Sequence, residues 1–140
     1  MGTLEKAIVI ATQAHTGQVD KGGNPYILHS LRVMLKMTSE EEMISAVLHD
    51  VLEDTEVTED DLQKVGFRED IIDAVIALTR QDDETYMDFI KRAKLNPIAR
   101  TVKMGDIDDN CDLTRISNPS DQDYSRIKRY KKAIQELRIE

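Results

Sequence analysis

The sequence is poor in aromatic residues, histidine and cysteine. None of its 140 residues is tryptophan and aromatic side chains make up 4%, so a platform that stacks the bases of single-stranded nucleic acid is not expected. The single cysteine, Cys111, has no partner for an internal disulfide, which is compatible with a reducing cytosol. Only three histidines occur, His15, His29 and His49, and this scarcity limits any metal site.

Basic side chains are also in deficit. The chain has 19 Lys and Arg against 27 Asp and Glu, a formal net charge of −8, which argues against non-specific binding to DNA, RNA or an anionic membrane. A small anionic ligand stays possible, because a metal ion can reverse the sign of the charge locally. No apolar run approaches the roughly 20 residues of a membrane-spanning helix, and the start of the chain lacks the basic region of a signal peptide. We therefore expect a soluble, cytoplasmic protein.

Apolar residues recur at helical spacing along the whole chain, and no segment alternates apolar and polar residues as a strand does. The spacing predicts about eight helices, near residues 3–14, 25–36, 39–52, 58–66, 68–79, 84–95, 97–113 and 120–137. The connections are short and contain no linker or repeat. The expected architecture is all-α, with residues 1–140 forming one domain.

A His-Asp pair lies between aliphatic residues in the third predicted helix and is followed by two acidic residues. On a continuous helix, positions four residues apart share a face. His49 would then lie above Glu53, and Asp50 above Asp54. This pattern of stacked polar pairs favours a site over a solvated helix end.

Two further segments carry weaker signals. His29 is the only polar ring in the apolar segment 26–31, and alone it is more typical of a core histidine than of a ligand. Asp106 and Asn110 lie one helical turn apart, a pattern equally typical of a solvated face. Taken with the His-Asp pair, they suggest one site, because imidazole and carboxylate ligands suit Mn, Fe or Zn. Such a site can ionise a water that attacks phosphorus, with a nearby carboxylate taking the proton.

The order of these motifs resembles the H…HD…D metal signature of the HD-domain phosphohydrolases. Residues 14–29, 47–55 and 102–110 are similar to three motifs of the hydrolase domain of RelA/SpoT-type proteins, the second to its HDxxED motif. The similarity covers residues from about 4 to 130. It implies a helical HD fold and a stand-alone small alarmone hydrolase. The implied reaction converts (p)ppGpp into GDP or GTP and pyrophosphate at the 3′-diphosphate.

The resemblance also implies roles for individual residues. It assigns one Mn²⁺, or another divalent transition metal, to His29, His49, Asp50 and Asp106. It assigns the positioning and activation of the attacking water to Glu53 and Asp54. It places five residues along the nucleotide site: Lys21, Tyr26, Asn110, Arg126 and Tyr130. His15 is expected to be a hydrogen-bonded residue at a helix end.

The chain departs from the family pattern at two positions. Asp20 stands where the family usually has Arg, and Ile107 stands where it favours a basic residue. Asp108 and Asp109 add further negative charge nearby, so fewer cations are expected to face a highly phosphorylated substrate. Two alternatives follow: an HD phosphohydrolase of another nucleotide, or a non-catalytic nucleotide-binding module, against which the water-activating pair argues. The sequence leaves open the native metal, the oligomeric state and the biological role.

Overall fold

The computed structural model describes residues 1–139, with the backbone alone at Arg115. Glu140, the last residue of the predicted domain, lies outside the described residues. Residues 1–139 contain no strand, so the all-α prediction is confirmed. The α-helices are α1 (Leu4–Ala14), α2 (Ile27–Leu35), α3 (Glu40–Val47), α4 (Val51–Asp54), α5 (Glu59–Val65), α6 (Glu69–Ala77), α7 (Tyr86–Lys94), α8 (Pro97–Asn110) and α9 (Asp121–Arg138), with a 3₁₀ helix at Leu113–Arg115.

Side-chain caps explain several of the helix starts. The hydroxyl of Ser39 accepts a hydrogen bond from the backbone N–H of Glu42 at 3.1 Å, and the Glu42 carboxylate accepts from the backbone N–H of Ser39 at 3.3 Å. Thr58 and Asp61 form the same reciprocal pair at the start of α5. Such capping boxes satisfy backbone donors that have no partner within the helix. The left-handed Gly66, with φ of +99°, then ends α5.

The prediction of one helix over residues 39–52 is wrong. The helix α3 ends at Val47, and α4 begins only at Val51. His49 and Asp50 lie on the turn between the two helices, so His49 does not stack above Glu53. The backbone N–H of Asp54 donates to the carbonyl of Asp50 at 3.0 Å, so one helical turn still links these two residues. The predicted helix over 97–113 also ends earlier, at Asn110.

The helix α3 lies at the centre of the molecule. It packs against α1, α2, α6 and α8, and Ala46, Val47 and Leu48 at its end are fully buried. A second apolar cluster joins α7, α8 and α9 through Ile90, Ile107, Ala133 and Leu137. Because α8 contacts both clusters, its remaining face is held against the end of α3. Among the described residues, no helix has the length and apolar character needed to cross a membrane.

Candidate active site

The four predicted metal ligands come together from three elements. His29 lies on α2, Asp106 lies on α8, and His49 and Asp50 lie on the turn between α3 and α4. The Nε2 atom of His29 is 2.9 Å from Oδ1 of Asp106, and Nε2 of His49 is 3.0 Å from Oδ2 of Asp50 and 3.4 Å from Oδ1 of Asp106. Adjacent ligands in the coordination sphere of a transition metal are separated by about 3 Å when each is about 2.1 Å from the ion.

The hydrogen bonds of His49 suit a metal ligand. Its Nδ1 lies 2.5 Å from the backbone carbonyl of Ala46, which can only accept, so Nδ1 carries the proton. The opposite nitrogen, Nε2, is buried and makes no hydrogen bond to any described residue. It faces the carboxylates of Asp50 and Asp106 instead. A lone pair buried among carboxylate oxygens, with a carbonyl fixing the tautomer, fits a divalent metal.

His29 is oriented by a residue that the sequence did not single out as part of the site. Its Nδ1 lies 2.6 Å from Oδ2 of Asp109, and Oδ1 of Asp109 accepts from Nε of Arg32 at 2.8 Å. Asp109 is 4% exposed, and its negative charge is shared between His29 and Arg32. A carboxylate that holds one ring nitrogen of a ligating histidine fixes the tautomer and the ring orientation. The three-residue spacing from Asp106 was the available signal.

Asp106 is held from both neighbouring turns of α8. Its Oδ2 accepts from Nζ of Lys103 at 2.8 Å, and its Oδ1 accepts from Nδ2 of Asn110 at 3.1 Å. Burial raises the pKa of Asp106, but the charges of Lys103 and His49 outweigh this effect and leave that pKa well below its usual value. Asp106 is therefore an anion, with one cation and one amide fixing its position.

The protonation of the two site histidines reflects the surrounding carboxylates. Burial lowers the pKa of His29, and hydrogen bonds to Asp106 and Asp109 reverse this and raise the pKa above its usual value. Burial also lowers the pKa of His49, and the charges of Asp50 and Asp106 raise it well above that value. Without a metal, protons on these rings thus balance the carboxylates. A divalent cation would replace those protons.

Tyr26 and a short chain of side chains support the turn that carries Asp50. The hydroxyl of Tyr26 donates to Oδ2 of Asp50, and its ring lies 4.9 Å from that of His15. Nδ1 of His15 is hydrogen-bonded to Oε1 of Gln18 at 2.9 Å, and Nε2 of Gln18 donates to the carbonyl of Asp54 at 3.0 Å. The prediction that His15 is a hydrogen-bonded residue at a helix end is confirmed.

The predicted acidic pair lies beside the metal ligands. One carboxylate oxygen from each of Asp50, Glu53 and Asp54 lies within 4.8 Å of the others. Glu53 accepts from the backbone N–H of Arg80 at 2.8 Å, which anchors its carboxylate. Burial and the charges of Asp50 and Glu53 raise the pKa of Asp54 to about 6. A carboxyl group with such a pKa can exchange a proton near neutral pH.

A cavity of about 420 Å³, here named the large cavity, opens beside His29. A volume of this size is typical of small-molecule sites. Burial and the charge of Arg126 lower the pKa of Lys21, and Arg126 donates to Asp123 at 2.9 Å. All five residues predicted to bind the nucleotide line this cavity: Lys21, Tyr26, Asn110, Arg126 and Tyr130.

The departures from the family pattern lie in different surroundings. Asp20 lines the large cavity, and its Oδ1 accepts from the backbone N–H groups of Gly22 and Asn24 at 2.9 and 3.0 Å, which stabilises the loop before α2. Ile107 is 1% exposed and packs in the core between α7, α8 and α9. The expectation that Ile107 bears on substrate charge is therefore wrong, since a side chain there points away from the cavity. Asp108 is exposed and pairs with Lys36 at 2.9 Å, outside the cavity lining.

The chain is similar to parts of much longer hydrolases. A guanosine-3′,5′-bis(diphosphate) 3′-pyrophosphohydrolase of Borreliella burgdorferi is 38% identical over 85 residues, which are 58% of this chain and 13% of that protein. A protein of the same name from Aquifex aeolicus is 32% identical over 119 residues, or 76% of this chain and 17% of that protein. The chain thus spans less than a fifth of the length of these relatives. No model of a known protein family matches it.

Among solved structures, a metazoan orthologue of SpoT matches with a TM-score of 0.81. The match covers 99% of this chain and 86% of that one at 23% sequence identity. The chain has the fold of an HD-type RelA/SpoT hydrolase. The metazoan protein is described as hydrolysing ppGpp and as having a role in starvation responses.

Within this RelA/SpoT-type fold, the predicted residues separate into two adjoining groups, the metal ligands with the acidic pair and the lining of the large cavity. Sequence reasoning missed the residues that hold these groups in place. Asp109 and Arg32 orient His29, and Lys103 holds Asp106. The contacts of Asp109 join α8 to α2, and no local pattern in the sequence shows that pairing. The contact between Lys103 and Asp106 lies within α8, three residues apart.

Proposed function

We propose that this chain is a cytoplasmic, metal-dependent hydrolase of ppGpp that acts on the 3′-diphosphate and uses Mn²⁺. The observation that supports this most directly is that a cluster of possible metal-binding atoms adjoins a cavity lined by cations. Donor atoms from His29, His49 and Asp50 lie within 4.8 Å of one another, and Oδ1 of Asp106 lies 2.9 Å from His29. They adjoin the large cavity, whose lining includes Lys21 and Arg126. The names of the relatives agree with this proposal.

The proposed reaction is a hydrolysis at phosphorus. A water oxygen forms a bond to the phosphorus attached to the ribose 3′-oxygen, and the bond between that phosphorus and the 3′-oxygen breaks. The 3′-oxygen takes up a proton and leaves as GDP, and the attacked phosphorus leaves in pyrophosphate. A divalent cation at the four ligands would supply positive charge for the phosphate and lower the pKa of water. Asp54, with a pKa of about 6, accepts the proton, and Glu53, anchored on Arg80, positions the water.

Hydrolysis of ppGpp by the purified protein tests the proposal. We expect GDP and pyrophosphate in the presence of Mn²⁺ and no product in excess chelator. His49→Ala removes a ligand and should abolish turnover, whereas Asp108→Asn, an exposed change on α8, should leave it within about twofold of the unmodified protein. Equal turnover with His49→Ala or with chelator contradicts the metal-dependent mechanism.

A second candidate keeps the chemistry and changes the nucleotide. Arg126, which lines the large cavity, is already paired with Asp123 at 2.9 Å. This pairing leaves less positive charge for phosphates and favours a substrate with fewer phosphates on the nucleoside than ppGpp has. A panel of guanine and adenine nucleotides with 3′- and 5′-phosphates, read by release of phosphate and pyrophosphate, separates the two candidates. Binding of a nucleotide without release of either product would identify a non-catalytic nucleotide-binding module.

A further inference from the structure

A second cavity borders Asp50, one of the predicted metal ligands. It measures about 150 Å³, is here named the small cavity, and has Asp50 and Glu53 in its wall. Asn110 and Tyr130 line both cavities, so the two spaces adjoin at the site. The small cavity has about a third of the volume of the large one, which is enough room for a phosphate group. The roles proposed so far place no part of the substrate in it.

The small cavity is lined by three cations gathered around one aromatic ring. Nζ of Lys103 and the guanidinium carbons of Arg80 and Arg129 lie 5.9, 5.8 and 4.8 Å from the centre of the Tyr86 ring. All three cations line the small cavity, together with the carboxylates of Asp50 and Glu53. A phosphate that enters the cavity would therefore meet positive charge on the side of the Tyr86 ring.

Two of these cations have donors to spare. Lys103 is bound to Asp106, but Arg129 makes no ion pair with any residue whose side chain the structure describes. Nε of Arg80 donates to the carbonyl of Glu84 at 3.1 Å, which orients the guanidinium. Its two terminal nitrogens are left to donate to a ligand. Arginine donors in such a fork match the oxygens of a phosphate.

The hydroxyl of Tyr86 is an independent indication of a ligand. It is buried and has no hydrogen-bond partner among the described residues. A buried hydroxyl without a partner is costly, and Tyr86 is one of the residues in the wall of the small cavity. Burial raises the pKa of Tyr86, so the hydroxyl keeps its proton and donates. The small cavity thus offers a neutral donor in addition to its charges.

We propose that the small cavity binds the distal phosphate of the substrate's 3′-diphosphate, with Arg129, Arg80 and the Tyr86 hydroxyl as its ligands. This inference rests on the proposed function. The nucleoside with its 5′-phosphates occupies the large cavity, and the phosphorus bonded to the 3′-oxygen lies between the two cavities, at the metal ligands. When the bond to the 3′-oxygen breaks, the pyrophosphate formed stays in the small cavity until release. The cavity therefore selects a 3′-diphosphate over a 3′-monophosphate.

The test compares two substrates that differ only in the distal phosphate: ppGpp and guanosine 5′-diphosphate 3′-monophosphate. We expect Arg129→Gln to lower kcat/KM for ppGpp by about 10- to 100-fold, the range of a lost hydrogen bond to a charged group, and to change the monophosphate value less than threefold. Tyr86→Phe should act in the same direction. Lys128→Gln, an exposed change on the preceding residue of α9, is the matched control. An equal fall in kcat/KM for both substrates in Arg129→Gln overturns the inference.

A binding experiment separates this inference from the proposed function. Titration calorimetry with inorganic pyrophosphate and inorganic phosphate on chelator-treated protein needs no turnover. We expect tighter binding of pyrophosphate, reduced about tenfold or more by Arg129→Gln and unchanged by Lys128→Gln. Absence of ppGpp hydrolysis by the unmodified protein contradicts the proposed function. Hydrolysis with pyrophosphate binding unaffected by Arg129→Gln and Tyr86→Phe overturns the small-cavity assignment alone.

Discussion

Asp109 links the outer surface of α2 to the metal ligands. Its carboxylate is almost fully buried, which costs free energy unless the charge is compensated. Compensation comes from Arg32, whose Nε and Nη2 donate at 2.8 and 3.2 Å, and from the ring of His29. Because one carboxylate accepts from both partners, the half-buried guanidinium of Arg32 contributes to the orientation of His29, a proposed metal ligand that it does not touch.

Replacing Asp109 by Asn tests this role. The amide has nearly the same shape but carries no charge, and it can turn a donor toward Nδ1 of His29, which would change the tautomer of the ring. We expect affinity for Mn²⁺ to fall by about 10- to 100-fold, the usual cost of losing such a partner. Asp108→Asn, on the next residue and exposed, should bind Mn²⁺ normally. Calorimetric titration with Mn²⁺ measures both, and normal affinity in Asp109→Asn contradicts the role.

At the scale of the helices, α8 presents different chemistry on each face. Asp106 and Asn110 face the site, and Ile107 packs between α7 and α9 against Ile90 and Leu137. A helix turns about 100° per residue, and this rotation carries the side chain of Ile107 from the side of Asp106 into the apolar cluster. A basic residue at position 107 would therefore not reach the large cavity.

Ile107→Arg is accordingly expected to unfold or strongly destabilise the protein without improving ppGpp hydrolysis. Burying an unpaired guanidinium where Ile107 is 1% exposed costs several kcal/mol. Thermal unfolding measures the effect, with Asp108→Arg as the control at an exposed position of α8, where a change within about 0.5 kcal/mol is expected. A stable Ile107→Arg variant with raised ppGpp hydrolysis would restore the idea that this position sets substrate charge.

Helices and their caps could be predicted from local sequence, because periodicity and capping boxes are local properties. The interruption at His49 and Asp50 could not, since Val47, Leu48 and Val51 continue the apolar pattern across it. Tertiary contacts end α3 there. Val47 and Leu48 are fully buried, and the carbonyl of Ala46 accepts from both the backbone N–H and the ring Nδ1 of His49. The four residues predicted as metal ligands were nonetheless selected from the sequence, through motif order and not through helical geometry.

At the scale of the whole molecule, the negative net charge is unevenly distributed. The small cavity gathers Arg80, Lys103 and Arg129, although acidic residues outnumber basic ones in the chain. The carboxylates of Asp50 and Asp106 are balanced by Lys103 and by protons on the site histidines. The site is therefore prepared for a cation that replaces those protons and for phosphates that the nearby cations attract. The acidic remainder lies mainly on helix starts and exposed faces.

This exchange of protons for a metal predicts opposite effects of pH on stability. In chelator, the folded pKa values of His29 and His49 lie above the unfolded value, about 6.5. Their stabilising contribution is present in full below that value and is lost as pH rises through the folded pKa values, so Tm should fall between pH 6 and 8. The pKa of Asp54, raised to about 6, also makes the stability fall as pH rises, and this contribution no longer changes above pH 7.

With Mn²⁺ the sign reverses, because binding requires both rings to lose a proton and so strengthens with pH. At pH 8 and a hundredfold excess over Kd, Mn²⁺ should stabilise the protein by about 2.7 kcal/mol. Scanning calorimetry at pH 6 and pH 8, with chelator or with Mn²⁺, measures the four Tm values. His49→Ala should abolish the Mn²⁺ effect at both pH values. An equal Tm increase at pH 6 and pH 8 in the unmodified protein would show that Mn²⁺ binds somewhere other than the two histidines.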